Sequence, residues 1–433
     1  MHIYFSGIGG AGIGPLAQVA LQAGHQVSGS DKQMSLYIEY LQKNGIKDIV
    51  IGQTQKDIAA IHSKNPIDWF VYSSALTLEN PDAAELRYCR KQKIKTSKRD
   101  EFLNSLIKDN NLKLIAIAGT HGKTTTTALV VWLFNQLQIP ASYILPAKVS
   151  FGDMGKFDKE AKYFIYEADE FDRNFLSFTP YLSLITGVSW DHHEIFPTRE
   201  NYKEAFLEFI SQSKRTLLWG DDYDYLGLEG VPTNLLVQNT DNPLIDTLTL
   251  KGRFNRLDAY LALQAVQRVS DEPLAKLISI INRFPGLSRR MELIAPNLYS
   301  DYAHTPEKIR GAMSVASEMS AENNQDIVVV YEPLTNRRQH YMLEDYKDCF
   351  NGAKKVYWLP SYLAREDINQ RTIEPSELIE HLSDPTIAEP VQRSAKLKSL
   401  IEKHLKGGDM VVAMNGGGGD GLDEWLRREF ISS

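Results

Sequence analysis

Short apolar runs, each closed by glycine, serine or an acid, recur along the whole chain, with stretches of helical apolar spacing between them. Ile3-Tyr4-Phe5 leads into Gly7-Ile8-Gly9-Gly10-Ala11-Gly12, and residues 15–23 then read as a helix. Residues 26–31 form the next strand pattern, with Asp31 at its end, and Trp69-Phe70-Val71-Tyr72 is a later one closed by Ser73-Ser74. The arrangement returns at 114–118 before a glycine turn, at 163–166 before Glu167-Ala168-Asp169-Glu170, and at 182–186 before Asp191-His192-His193. Runs at 327–331, 356–359 and 410–414 close the series, the last followed by glycines 416–419, a turn or ligand-facing loop. Runs this short, bounded by turn residues and rich in β-branched and aromatic side chains, are buried strands. Strands alternating with helices build parallel sheets with helices outside, so the expected class is α/β.

A chain of 433 residues exceeds what one core usually organises. The polar stretch Lys108-Asp109-Asn110-Asn111 suits a linker, and Pro285-Gly286 marks a second boundary. Three domains follow: a Rossmann-like one over 1–108, a phosphate-loop domain over 109–286 and a second Rossmann-like one over 287–433. Composition acts by exclusion. The net charge of −7 argues against nucleic acid as the main partner, and no apolar run approaches membrane-spanning length. The first residues pass directly into a strand pattern, unlike a signal peptide, and Cys89 and Cys349 are too few for a disulfide framework or zinc site. A reducing, cytoplasmic setting is expected.

The chemistry centres on Gly119-Thr120-His121-Gly122-Lys123-Thr124-Thr125, which follows one apolar run and opens a helix. Backbone N–H groups at such a turn cradle a polyphosphate, with the helix dipole assisting. Lys123 can reach the β- and γ-phosphates, and the Thr124 hydroxyl can hold Mg²⁺. The match to a Walker A motif is shortened, because Ile117 stands where that motif has its first glycine. Glu167, Asp169, Glu170, Asp191, His192 and His193 are the metal candidates in the same domain. Mg²⁺ favours oxygen ligands and keeps several waters, so one or two side chains plus phosphates suffice.

Two other regions carry candidate chemistry. The glycines after Phe5, with Asp31 downstream, resemble a dinucleotide fingerprint. Arg289-Arg290 and Asp301-Tyr302-Ala303-His304 stand near the start of the third domain, and Arg337-Arg338 follow the strand pattern at 328–331. Arginine is always charged and forked, which suits a phosphate in transfer or a substrate carboxylate.

These motifs, in this order over nearly the whole chain, resemble the Mur ligase family, the ATP-dependent amide-forming enzymes of peptidoglycan synthesis. The resemblance rests on Gly7 to Gly12 with Gly29-Ser30-Asp31, on Ser73-Ser74-Ala75 with Asn80-Pro81, and on the phosphate loop, whose shortened form is that family's own. It continues through Glu167-Ala168-Asp169-Glu170, Asp191-His192, Arg289-Arg290 and Asp301-Tyr302-Ala303-His304-Thr305-Pro306. Most branches carry a carbamoylated lysine downstream of the Asp-His histidine. Phe206 occupies that position here, as in the alanine-adding and tripeptide-adding branch.

The resemblance implies that Gly119, Thr120, His121, Gly122, Lys123, Thr124 and Thr125 hold ATP, with Asn255 near adenine, Arg290 facing the γ-phosphate and Asp301 contacting ATP. It implies Mg²⁺ on Thr124, Glu167 and His192. Gly9, Gly10, Gly12, Ser30, Asp31, Ser73 and Ser74 would bind UDP-N-acetylmuramate, and Asn336, Arg337 and Arg338 the incoming L-alanine or murein peptide. The catalytic set would be Lys123, Glu167, His192, Arg290 and His304, the last as a base for the amine. A monomer or homodimer is expected, without membrane or nucleic acid.

Departures from the family pattern are Gly187 for an asparagine, Phe254 for a histidine and Asp258 for an asparagine. Glu332-Pro333-Leu334-Thr335-Asn336 replaces the alanine branch's histidine–arginine motif and is similar to the tripeptide branch, while the N-terminal motifs are similar to the alanine branch. Other classes open to a phosphate loop and a glycine fingerprint are a nucleotide switch, a nicotinamide oxidoreductase and a folate polyglutamate synthetase. None of them accounts for all three regions.

Overall fold

The structure, a computed structural model, describes residues 1–192, 195–230, 234–363, 366, 369–416 and 421–431. His193 and the glycines 417–419 singled out above lie outside the described residues. The described chain divides into two compact units, residues 1–248 with 257–285 and residues 249–256 with 286–433. The first two expected domains thus share one unit, and a short segment before residue 257 joins the third.

The first unit carries two sheets. One is β1 (His2–Ser6), β2 (Gln26–Asp31), β3 (Asp48–Ile51), β4 (Trp69–Tyr72) and β5 (Lys95–Lys98), in the order β3-β2-β1-β4-β5. All its pairs are parallel. The other is β6 (Lys113–Ala118), β7 (Ala141–Ile144), β8 (Gly155–Lys156), β9 (Tyr163–Glu167), β10 (Leu182–Ile185), β11 (Thr216–Trp219) and β12 (Leu235–Gln238), in the order β12-β11-β10-β6-β9-β7-β8. Only the short β7–β8 pair is antiparallel. Every residue of β1 is buried, and β6 is buried beyond Lys113, because central parallel strands are covered on both faces. Strand order reverses beside β1 in one sheet and beside β6 in the other. Each glycine loop therefore leaves its sheet at the crevice where open α/β sheets take ligands.

The second unit holds β13 (Glu292–Ala295), β14 (Leu298–Asp301), β15 (Ile327–Glu332), β16 (Ala353–Trp358), β17 (Ala388–Pro390) and β18 (Met410–Asn415), in the order β13-β14-β18-β15-β16-β17. Only β13–β14 is antiparallel. Strands β15 and β18 are buried throughout, which is why their sequences are apolar without alternation.

The expected linker is shorter than its polarity suggests. Helix Arg99–Asp109 takes up Lys108 and Asp109, since the period that buries Phe102, Leu103, Leu106 and Ile107 runs to its end. Asn110 then caps it by donating from its side chain to Leu106 O at 2.8 Å, and Asn111 reverses the chain at φ 53°. Cys89 and Cys349 are both buried free thiols, pushed up to about 12 chiefly by burial, so neither is a nucleophile at neutral pH.

A buried acid supports the loop that backs the phosphate site. Helix Gly220–Leu226 follows β11 and places Asp222 against the loop after β10. Asp222 Oδ1 accepts the Val188 N–H at 2.8 Å, while Oδ2 is buried without a partner. Burial raises its pKa to about 6, against the opposing pull of the Val188 N–H. Folding therefore favours the protonated acid. The stability this group contributes is complete below its unfolded value of about 4 and is lost as pH rises through about 6, to a total of about 3 kcal/mol. Asp222→Asn keeps the acceptor for Val188 and removes the charge. It should raise the melting temperature at about pH 7.5 and leave it unchanged near about pH 4. Equal shifts at both pH values, read by thermal unfolding, would exclude this origin.

Candidate functional site

The phosphate loop is shaped by two glycines that no other residue could replace. Gly119 has φ +138°, and a methyl group on it would lie 2.4 Å from Thr186 Oγ1. Gly122 has φ +73° at the N-cap of helix Lys123–Gln136, and its methyl would lie 2.3 Å from Asp258 Oδ1. The loop is fastened to the segment after β10. Thr120 donates its N–H to Gly187 O at 2.7 Å and its hydroxyl to Ser189 O at 2.7 Å, and the Thr186 hydroxyl donates to His121 O. His121 Nε2 lies 3.0 Å from Ser189 Oγ, so its ring is drawn to this same segment.

Lys123 points back across the loop. Its ammonium donates to Gly119 O and to both oxygens of Glu170, at 3.0 and 2.8 Å. Glu170 is fully buried, and His192 Nε2 stands 3.6 Å from it. Burial alone would raise Glu170, but Lys123 and His192 outweigh it and hold it at about 2. For Lys123, burial works to lower the pKa, and Glu170, Asp169 and Glu167 together raise it. Glu167 behaves oppositely to Glu170: burial raises it, only partly offset by Lys123 and Thr124. Thr124 donates its hydroxyl to Glu167 Oε2 at 2.8 Å.

The donor set fits a hard cation beside a polyphosphate. A threonine hydroxyl and a carboxylate meet at the first turn of a helix whose N-terminus is formed by the glycine loop. The described residues contain no cluster of three or more histidine, cysteine, aspartate or glutamate side chains of the kind that cages a metal alone. His192, at φ 55°, is turned to Glu170 and Asp191, so it reaches this set through Glu170.

In the first sheet the glycine loop folds over β2. Gly7 and Ile8 donate their N–H groups to Ser30 O at 2.8 and 2.9 Å, and Gly9 N–H donates to Asp31 Oδ2 at 2.8 Å. Asp31 and Gly9 thus stand at the loop together, with Gly10 closing a turn on Gly7 O at 3.0 Å. The Ser30 hydroxyl faces inward instead. It donates to Glu85 at 2.6 Å, as do Tyr4 at 2.7 Å and Ser6 at 2.6 Å, so Ser30 supports the loop from beneath. Ser73 precedes helix Ser74–Glu79, and Ser74 donates to Asn174 Oδ1 at 3.3 Å in the loop after β9.

In the second unit, Arg289 and Arg290 stack on the Tyr302 ring at 4.6 and 5.3 Å, and Arg290 donates to Tyr302 O at 3.2 Å. Arg289 keeps two buried guanidinium nitrogens without a hydrogen-bond partner. Asp301 accepts the Met291 N–H at 2.9 Å; burial raises its pKa against the nearby Arg290. His304 is buried, with Nδ1 3.3 Å from Tyr302 O and Nε2 3.4 Å from Lys308 Nζ. Asn255 belongs to the segment that joins this unit, and its amide donates to Lys251 O at 2.8 Å. Asn336 is wholly engaged in structure: it accepts Ile373 N–H at 2.8 Å and donates to Arg371 O at 2.9 Å. The backbone N–H groups of Asn336 and Arg337 donate to Glu366 at 3.0 and 2.9 Å.

Sequence reasoning missed Glu85, Arg99, Tyr202 and Asp222, which support these loops from distant elements. A buried-looking acid amid apolar residues, as in Ala83-Ala84-Glu85-Leu86, was the only available signal.

Comparison with known proteins agrees with this layout. Family models described as "Mur ligase family, catalytic domain", "Mur ligase middle domain" and "Mur ligase, glutamate ligase domain" match residues 2–111, 117–235 and 289–417 in turn. Among curated relatives, a UDP-N-acetylmuramate–L-alanine ligase of Psychrobacter cryohalolentis is 27% identical over 96% of this chain and 92% of its own length. One of Roseiflexus sp. is 27% identical over 98% of both chains. Among solved structures, the UDP-N-acetylmuramate–alanine ligase of Thermotoga maritima superposes with a TM-score of 0.75 at 22% identity, covering 100% of this chain and 98% of that one. A murein peptide ligase of Psychrobacter arcticus gives 0.68 at 20% identity, covering 99% and 98%. With the three family models falling in order on the three sheets, the chain belongs to the Mur ligase family.

Proposed function

We propose that this protein joins L-alanine to UDP-N-acetylmuramate in the cytoplasm, using ATP, through an acyl phosphate and with release of ADP and phosphate. The observation that carries the reading is the part-buried Lys123 ammonium at the N-terminus of a helix, beside the Thr124–Glu167 pair. That arrangement suits a triphosphate whose terminal group is to be transferred. Thr124 and Glu167, with His192 behind Glu170, would hold Mg²⁺, which supplies charge neutralisation across the phosphates.

In the first step a muramoyl carboxylate oxygen bonds to the γ-phosphorus while the bond to the ADP oxygen breaks. Lys123 stabilises the charge that develops on the transferring oxygens, and Arg290 is assigned the same task. In the second step the amine nitrogen bonds to the activated carbonyl carbon, phosphate leaves, and the nitrogen gives up a proton. His304 is the base proposed for it. Asn255 is assigned to the adenine side, and Asp301 to ATP.

A second acceptor, a murein peptide, is favoured by Glu332-Pro333 and Asn336. Glu332 is buried and accepts the Leu422 N–H at 2.9 Å, while Asn336 ties down residues 371–373. Together they frame the end of β15 differently from a motif that presents histidine and arginine to a small amino acid.

Phosphate release with ATP, Mg²⁺, UDP-N-acetylmuramate and each amine in turn tests the reading. L-Alanine should give the largest rate, and release independent of any amine or UDP-sugar would remove it. A peptide-only signal would move the assignment to the second acceptor.

Lys123→Ala should lower turnover by at least about 10³-fold. It also strands the buried Glu170 carboxylate, which should lower stability by about 3–5 kcal/mol. Adding Glu170→Ala should recover most of the stability and none of the turnover. Recovered turnover in that double variant would deny Lys123 its chemical role.

A further inference from the structure

Arg99 joins two loops that the reading above assigns to different ligands. It opens the helix after β5 and lies across the first unit between the two sheets' crevices. Nη2 donates to Asp169 Oδ2 at 3.2 Å, and Nε to Asp100 Oδ2 at 3.3 Å. A methyl group on Gly12 would lie 2.1 Å from Nη1, so this guanidinium passes directly beside the glycine loop. Among the described residues Nη1, the nitrogen at the glycine loop, has no hydrogen-bond partner. The side chain is 19% exposed, with Asp100 at 1%.

Asp169 sits between Glu167 and Glu170, and its backbone carbonyl accepts the Phe175 N–H at 3.0 Å, so its position is tied to that of the carboxylate loop. Asp100 is fixed in turn by the Tyr166 hydroxyl at 2.8 Å, from β9 itself. Two flanking contacts clamp the same junction: Lys98 pairs with Asp172, and Ser74 donates to Asn174. The guanidinium is thus held on one side by the loop that carries the nucleotide's carboxylates and presents a donor on the other side to the glycine loop.

We infer that Arg99 is a positioning residue: Nη1 donates to a phosphate oxygen of a diphosphate-bearing substrate on the glycine loop, and Nη2 passes that occupancy to the Glu167–Glu170 loop through Asp169. This rests on the proposed use of the two loops by a UDP-sugar and ATP. Its consequence is that each ligand strengthens binding of the other. The planar fork is suited to it, since its separate nitrogens face two sides at once, whereas an ammonium presents its donors from a single point.

Calorimetric titration of the full chain with UDP-N-acetylmuramate and with a non-hydrolysable ATP analogue plus Mg²⁺, each alone and with the other saturating, tests this. The wild type should show mutual strengthening of about 5-fold or more. Arg99→Ala should weaken the UDP-sugar by about 10-fold or more, leave the analogue alone within about 2-fold, and reduce the coupling factor to about one. Arg99→Lys should keep part of the UDP-sugar affinity and still lose the coupling. Asp169→Asn should likewise keep UDP-sugar binding and lose coupling, and these two variants decide the matter if Arg99→Ala does not fold. Wild-type coupling in Arg99→Lys and Asp169→Asn, or equal loss of both affinities in Arg99→Ala with a lowered melting temperature, would overturn the inference. A wild type that binds both ligands without coupling sinks the inference and leaves the proposed function standing. A wild type that binds nucleotide but no UDP-sugar sinks both.

Discussion

The buried ion pair between Lys123 and Glu170 is the contact on which the rest of the first unit depends. An ammonium at the start of a helix is unfavourable by the helix dipole and by desolvation. It is tolerated because Glu170 supplies two oxygens at 3.0 and 2.8 Å and Gly119 a carbonyl. The pair also separates two acids that stand three residues apart in one loop. Glu170 receives both Lys123 and His192 and stays ionised, while Glu167 receives mainly a hydroxyl and is raised by burial. One acid is thereby a permanent counter-charge. The other gains most from an arriving cation, whose charge replaces what burial took away. The lysine is therefore held in place by protein groups at the start of the helix.

What was legible in the sequence follows from how each element is stabilised. Strands β1, β6, β15 and β18 are central and covered on both faces, so their apolar runs are unambiguous. Strands β3, β5 and β17 are edge strands, and segments such as Lys95-Thr96-Ser97-Lys98 carry no apolar period, because one side of an edge strand meets water. The site divides in the same way. Residues that act from their own turn, Gly119, Gly122, Lys123 and Thr124, are local patterns and can be read in order. Glu85 meets Tyr4 across 81 positions and Arg99 meets Asp169 across 70, and neither pairing leaves a trace in spacing. A motif also names a residue without its direction. Ser30 matches the family pattern and turns its hydroxyl into the core, where Glu85 takes it.

The Lys98–Asp100 stretch shows how the two sheets of the first unit were made into one body. Three consecutive residues at the end of β5 and the start of the next helix reach Asp172, Asp169 and Tyr166. All three partners belong to β9 or the loop after it. The polar character of this interface explains why composition did not reveal it: charges here are internal to the unit rather than solvated. Charge-assisted hydrogen bonds fix register more sharply than apolar contacts do. A carboxylate loop held by such bonds is set by the first sheet as much as by its own.

The departures from the family pattern are consistent with the backbone around them. Gly187 has φ +151° and offers its carbonyl to Thr120 N–H, a conformation that disfavours the asparagine usual at this position. Asp258 closes over Gly122 and lies where a second asparagine is usual. Phe254 is 58% exposed in a segment fastened to helix Pro306–Asn323, where Glu318 accepts from Gly252 N–H and from both terminal nitrogens of Arg256, each at 2.9 Å. An exposed phenyl ring on a rigidly held turn offers a face for stacking where an imidazole would offer a hydrogen bond.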